Sequence, residues 1–440
     1  MRIGFVPIDN RPVCYTLPKL IAEIDCDIEL FMPERSYLGD LVKYADTEAI
    51  LAWLETLEEM DAFVISLDTL AYGGLISSRR SPDTYEEILN RIEKLKNILK
   101  GKKVYAFSSI MRVSNNNINQ EEKPYWDKWG KKIFEYSWNF HKNNSAVSDV
   151  PAEILEDYLQ TRKRNFEINK VYLEWQKEGI FDTLIFSKDD CAEFGLNVQE
   201  ANALKSLGAA IKTGADEIPL SLLARAIAGC VMIKPIFLEK EQKYLISNYE
   251  DIPIEECVKN QIELAGCEVG EGIELYVNNF VERQGEIVMK VPTEAFGGKW
   301  QKPLKPYAVA DVRFANGSDN AFVNALFESG IDDKFLGYSA WNTSANTLGS
   351  LIFALKLTVL AKQKGTFNEK AFNRLMLTRF LDDWAYQANV RQQLTVPDIS
   401  LLTQKMTKYE QFLLAKFPEN CTIDYKFPWN RLFEVEVEFI

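Results

Sequence analysis

From its third residue the chain alternates short apolar runs with longer segments of helical periodicity. The first runs cover residues 3–8, 28–31, 62–67 and 104–108. They are β-branched and aromatic with little polar alternation, the pattern of strands covered on both faces. Helical patterns lie between them at 17–24, 47–57 and 84–99. Strand and helix in turn predict parallel βαβ units.

Residues 115–179 break the rhythm. They are polar, aromatic and charged, and they predict a helical insertion in the loop after the fourth strand. The alternation then resumes with strands at 183–186 and 210–212 and helices at 197–207 and 219–228. Further strands are expected at 233–238, 273–277, 307–312 and 336–340, and long helices at 348–363, 369–388 and 399–415. The apolar–acidic alternation at 432–440 predicts a final strand.

The expected fold class is α/β: a TIM-like or related parallel β/α core with a helical insertion and a helical C-terminal region. A doubly wound sheet with a second α/β domain fits the same pattern. The core takes residues 1–230, further α/β units 231–365, and the helical region with its last strand 366–440.

Composition narrows the function. A hydrophobic share of 47% and a charged share of 26% describe a globular chain. A net charge of −13 repels phosphate backbones and argues against a nucleic-acid partner. The seven cysteines form no CxxC pair, so neither a disulfide framework nor a zinc ribbon is expected. The start, MRIGFVPIDNRP, lacks the apolar core of a signal peptide. The apolar stretch 351–361 is short for a membrane span and contains Lys356. These features predict a cytoplasmic protein with no membrane partner; a homo-oligomer is compatible with them.

The single histidine, His141, removes multi-histidine metal sites, and it removes Ser-His-Asp relays unless His141 is the base. It sits in the polar stretch NFHKNNS and reads as a solvated side chain. The chemistry must come from carboxylates, Lys, Arg, Tyr, Asn or Cys.

Such groups recur just after predicted strands, at the edge where parallel α/β folds bind ligands. Asp9, Asn10 and Arg11 follow the first strand, and Asp68, Tyr72, Gly73, Gly74 and Arg79 the third. Arg112 follows the fourth, Lys188, Asp189 and Asp190 the fifth, and Asp216 and Glu217 the sixth. Asp311, Asn316 and Asp319, then Trp341, Asn342 and Asn346, follow later strands. Each has a plainer reading. Asp9, Asp189, Asp190, Asp216 and Glu217 suit helix starts, the glycines a turn, and Trp341 the core. Gly73-Gly74 lacks the spacing of a phosphate loop.

The motifs PIDNRPV, LDTLAYGGLISSR, FSSIMR, KDDCAEFG, TGADE, ADVRFANGSD, GYSAWNTSANTLG and PWNRLFE resemble the bacterial domain-of-unknown-function family 4127 over nearly the whole chain. That family implies no activity. A looser likeness is to the O-GlcNAcase-type hexosaminidases, TIM barrels with an Asp-Asp pair at a strand end. Asp189-Asp190 and Trp341-Asn342 match it in type, while its Gly-Phe-Tyr-Gly opening is absent here.

Two adjacent carboxyls, many aromatics and almost no histidine suit glycoside hydrolysis, which typically needs only two carboxyl groups. The expected function is therefore a glycoside hydrolase on N-acetylated amino sugars, with a small-molecule or oligosaccharide substrate and no cofactor. Asp189 would orient and polarise the acetamide and Asp190 would be the general acid. Asp9, Arg11, Asp68, Arg79, Asn342 and Asn346 would hold hydroxyls, Tyr72 or Trp341 would stack on the ring, and the other named residues would bind the substrate. The alternatives are a hard-metal hydrolase built on Asp9, Asp68, Asp189 and Asp216, and a non-catalytic binder of a sugar or anion using Arg11, Arg79 and Arg112.

Overall fold

The computed structural model describes residues 1–189 and 191–440. The chain forms two compact units. The first comprises Met1–Asn10, Leu30–Pro219 and Tyr249–Asp251; the second comprises Arg11–Glu29, Leu220–Asn248 and Ile252–Ile440.

The first unit is built on strands β1 (Arg2–Val6), β2 (Glu29–Phe31), β3 (Ala62–Ser66), β4 (Val104–Ile110), β5 (Thr183–Lys188) and β6 (Ala210–Thr213), in the order β2-β1-β3-β4-β5-β6. From β1 to β6 every neighbouring pair is parallel. Every residue of β3 and β4 is buried, as expected for a sheet covered on both faces. The covering helices follow from their periodicity. Tyr85–Leu99 buries Ile88, Ile92, Leu95 and Leu99 along one stripe, and a Thr84–Glu87 capping box fixes its start. The insertion consists of helices Trp126–Asn143 and Ala152–Lys177, whose Trp126, Ile133, Tyr136 and Tyr158 enter one apolar cluster.

The second unit repeats this winding. Its main sheet uses β7 (Met232–Phe237), β8 (Glu268–Val269), β9 (Ile273–Asn278), β11 (Tyr307–Asp311) and β13 (Phe335–Ser339), in the order β13-β11-β9-β7-β8 and parallel throughout. Short strands β10 (Gly285–Glu286) and β12 (Phe314–Ala315) pair separately, and β14 (Ile423–Lys426) pairs antiparallel with β15 (Glu436–Phe439).

The α/β class and parallel core are those expected. Of the two forms open to the sequence, the strands take the doubly wound one. Each sheet starts at an inner strand, adds its second strand on one side and the rest on the other, and stays open. The edge strands β2 and β6 of the first sheet have no ladder between them, so no barrel closes. This winding puts a switch point between β1 and β3 and another between β7 and β9, the position at which open α/β sheets bind ligands.

One helix differs in length from expectation. Ser344–Lys364 is long and apolar enough to cross a membrane by length and composition, yet its apolar window is wholly buried in the second unit. It is a core helix. Lys356 on it is buried and donates to the carbonyls of Ala224 and Ala265 at 2.7 and 3.1 Å, which satisfies its charge on two helix ends.

Candidate active site

At the switch point of the first unit the loops after β1 and β3 are tied together. The Thr69 hydroxyl donates to the carbonyls of Pro7 and Ile8 at 2.7 and 3.0 Å. Ser66 caps the short helix Leu67–Tyr72. Gly73 and Gly74, at φ +84° and +131°, then turn the chain into the helix Leu75–Arg80. A side chain at Gly74 would be strained by its φ. Asp9 and Asp68 are both buried beside this turn. Asn10 donates its N–H to the Gly39 carbonyl at 3.1 Å.

Asp68 accepts the Ser109 N–H at 2.8 Å. Burial pushes its carboxyl up to about 7, against the pull of that N–H and of the Arg79 guanidinium. Ser109 in turn accepts the Ser187 hydroxyl at 3.3 Å, so a polar line runs from β3 across β4 to β5.

A second line is charged. Arg79 Nη1 donates to Glu122 Oε1 at 3.1 Å, and Arg112 Nε donates to the same oxygen at 2.9 Å. Arg112 also reaches Glu121 at 3.0 Å and Asp189 at 3.4 Å. Asp190, the next residue, lies outside the described residues.

Beyond β5, Lys188 donates to Asp251, which also accepts the Thr213 hydroxyl at 2.7 Å. Glu217 is fully buried, and burial pushes it up to about 8, with Asp216 and Glu250 adding to the rise. Its carboxyl lies against Gly214, at φ +122°, where a Cβ would stand 1.5 Å from Glu217 Oε1. Only glycine leaves room there.

The expected residues therefore divide. Asp9, Asn10, Asp68, Tyr72, Gly73, Gly74, Arg79, Arg112, Lys188, Asp189, Asp216 and Glu217 belong to the first unit; Arg11, Asp311, Asn316, Asp319, Trp341, Asn342 and Asn346 belong to the second. Those of the second unit mostly fasten loops. Asp311 accepts from Asn278, Tyr338 and the Asp319 N–H, and Asp319 caps the helix Asn320–Glu328. Asn316 donates its N–H to the Asn342 carbonyl at 2.8 Å, with both residues at positive φ. Trp341 is buried. The Arg11 guanidinium lies 5.3 Å from the centre of the Trp429 ring. Asn346 lies in the first turn of the helix Ser344–Lys364 and donates to the Thr343 hydroxyl at 3.1 Å.

His141 is not simply solvated. It is half-buried, its Nδ1 accepts the Gly195 N–H at 3.1 Å, and its ring meets Phe194 edge-on.

The sequence reading missed Glu121, Glu122, Glu250 and Asp251. The pair Glu121-Glu122 ends a polar loop, which gives no sign that arginines bury it. Asp251 arrives from 63 residues beyond Lys188, so no local pattern announces it. In the second unit, Asp382 and Asp383 sit beside Arg379 at 3.7 and 3.5 Å. Their signal was available: two adjacent carboxylates inside the apolar run FLDDWA. They lie on a π-helical segment, Phe380–Val390, a rare form that recurs at functional sites. All seven cysteines are free thiols. Among the described residues, no three His, Cys, Asp or Glu side chains are grouped as a metal ion requires.

No curated protein matches the chain. A family model described as "Protein of unknown function (DUF4127)" matches residues 3–438. The match takes in both sheets and every motif residue discussed above, and the chain belongs to that family.

Proposed function

We propose that the protein is a cytoplasmic glycoside hydrolase acting on N-acetylated amino sugars through carboxyl groups at the strand edge of the first unit. The observation that supports this reading is a split in carboxyl environments along one edge. Arg112 stands 3.4 Å from Asp189, while burial keeps Asp68 near neutrality in its proton affinity. Carboxyls held in such different surroundings along one edge suit the acid–base hydrolysis of a glycoside.

In this mechanism Asp189, held by Arg112, accepts the acetamide N–H. The acetamide oxygen is thereby made more nucleophilic and attacks the anomeric carbon. The bond to the leaving oxygen breaks as Asp190 delivers a proton to it. Water then opens the cyclic intermediate, returning a proton to Asp190. Asp68, Lys188 and Arg79 hold the sugar's polar groups.

The test is turnover of aryl N-acetylglycosaminides by purified protein, with and without a chelator. Turnover that survives chelation is expected. Absence of turnover on every aryl glycoside contradicts the reading, and loss of rate on chelation moves the assignment to a hard-metal hydrolase.

A further inference from the structure

Arg79 is an unusual arginine. It is 2% exposed, and its Nη1 is committed to Glu122. Its Nε and Nη2 are buried and make no hydrogen bond. Nη2 pairs with Glu121 Oε2 at 3.9 Å, too long for a hydrogen bond. The Tyr72 hydroxyl, on the preceding short helix, is also buried without a hydrogen bond.

Leaving buried donors unmade costs about 1–3 kcal/mol per group, and more for a charged one. The two open N–H groups of Arg79 form one edge of the guanidinium. That edge matches two oxygens of a carboxylate or phosphate, which it binds in parallel. Arg164 backs the Tyr72 ring, its guanidinium 5.4 Å from the ring centre. Arg79 follows the Gly73-Gly74 turn at the switch point, the position at which open α/β sheets bind ligands.

We propose that the ligand of this edge carries an oxyanion, carboxylate or phosphate, gripped by the Nε–Nη2 edge of Arg79 with the Tyr72 hydroxyl as a third donor. The inference rests on the hydrolase reading only for the sugar that bears the oxyanion. Nearby acids do not forbid it. Arg79 and Arg112 together face Glu121, Glu122 and Asp189, and Arg80 adds a third guanidinium bonded to the carbonyl of Glu122 at 2.9 Å. Burial raises the Asp68 carboxyl to about 7, which lowers its repulsion of an anion.

The experiment compares three sugars with one ring and one acetamide: N-acetylglucosamine, its 6-phosphate and N-acetylmuramic acid. Binding is measured by calorimetry on the wild type, Arg79→Lys and Tyr72→Phe, with melting temperatures to check folding. At least one charged sugar should bind about ten-fold or more tighter than the neutral parent, as expected for charge-assisted bonds. Arg79→Lys should erase most of that gain, because a lysine cannot present two parallel donors. Tyr72→Phe should reduce it by a few-fold. The phosphate and carboxylate arms identify which oxyanion is taken. If neither charged sugar outbinds the parent, the inference is overturned while the hydrolase reading survives on the neutral sugar. If the gain persists in both variants, Arg79 and Tyr72 are not its source and the inference is overturned. If charged sugars bind through Arg79 and no glycoside is cleaved, the inference stands and the hydrolase reading falls.

Discussion

Arg79 and Arg112 share a single oxygen, Glu122 Oε1, at 3.1 and 2.9 Å. Two guanidinium groups on one carboxylate make Glu122 the joint of the charged line that ends at Asp189. Arg79 and Glu122 are both almost wholly buried, so neither charge can turn to water when its partner is lost.

Glu122→Ala should therefore destabilise the protein by about 3–5 kcal/mol, the usual cost of stranding a buried charge. Glu122→Gln keeps an acceptor and should cost less. Chemical denaturation of the two variants measures the difference, and equal stability of Glu122→Ala and wild type would show that the line is not structural.

Asp68 gives a pH signature. Its folded carboxyl, at about 7, lies above the ordinary value of 3.8. Between those values the folded state holds a proton that the unfolded state has released. Stability from this group therefore falls as pH rises from about 4 to about 7 and is level above that. Glu217, at about 8, acts in the same direction over a window that extends higher. Asp68→Asn should gain on the wild type steadily between pH 4 and pH 7. A difference in stability that does not change with pH would contradict the assignment.

Gly214→Ala should destabilise strongly. The position has φ +122°, and the added carbon would overlap the Glu217 carboxyl. Backbone strain alone costs about 1–3 kcal/mol. The double variant Gly214→Ala/Glu217→Ala should recover the part due to overlap, and a melting-temperature series tests this. No recovery would place the whole cost in the backbone.

In the second unit, Asp383 accepts the Ala340 N–H at 2.7 Å and pairs with Arg379 at 3.5 Å. Burial pushes both Asp382 and Asp383 upward, and the Arg379 guanidinium opposes the rise. Asp383→Ala strands a buried guanidinium and an N–H together, so a loss of about 3–5 kcal/mol is expected in denaturant melts. A neutral effect would mean that Asp382 alone satisfies Arg379.

The legible part of the fold was what local periodicity controls. Fully buried strands such as residues 62–66 and 104–110 show as apolar runs, and Tyr85–Leu99 shows as a stripe with its capping box. Sheet order was not legible, because parallel strands carry the same pattern whether a barrel closes or a sheet stays open. The helices Leu67–Tyr72 and Leu75–Arg80 escaped notice because each is little more than one turn and the glycines between them read as a loop. Within the candidate site, residues that follow strands could be placed by position, as Asp68, Arg112 and Asp189 were after β3, β4 and β5. Their partners Glu122 and Asp251 could not, since only folding brings them near and burial of a charge leaves no mark in sequence. Motif recurrence also drew in Asp311, Asn316 and Asp319, which hold loops of the second unit together.

The central claim is that Asp189 and Asp190 divide the labour of glycoside cleavage. The direct measurement is kcat/KM of wild type, Asp189→Asn and Asp190→Asn on two N-acetylglycosaminides, one with a poor alkyl leaving group and one with an activated aryl group. Loss of a general acid typically costs about 10²–10⁴-fold. Asp190→Asn should show that loss on the alkyl glycoside and largely spare the aryl one, which leaves without a proton. Asp189→Asn should slow both, because the acetamide is then poorly oriented on either substrate. Equal losses on both leaving groups in both variants, or unchanged rates in Asp190→Asn, would contradict the account.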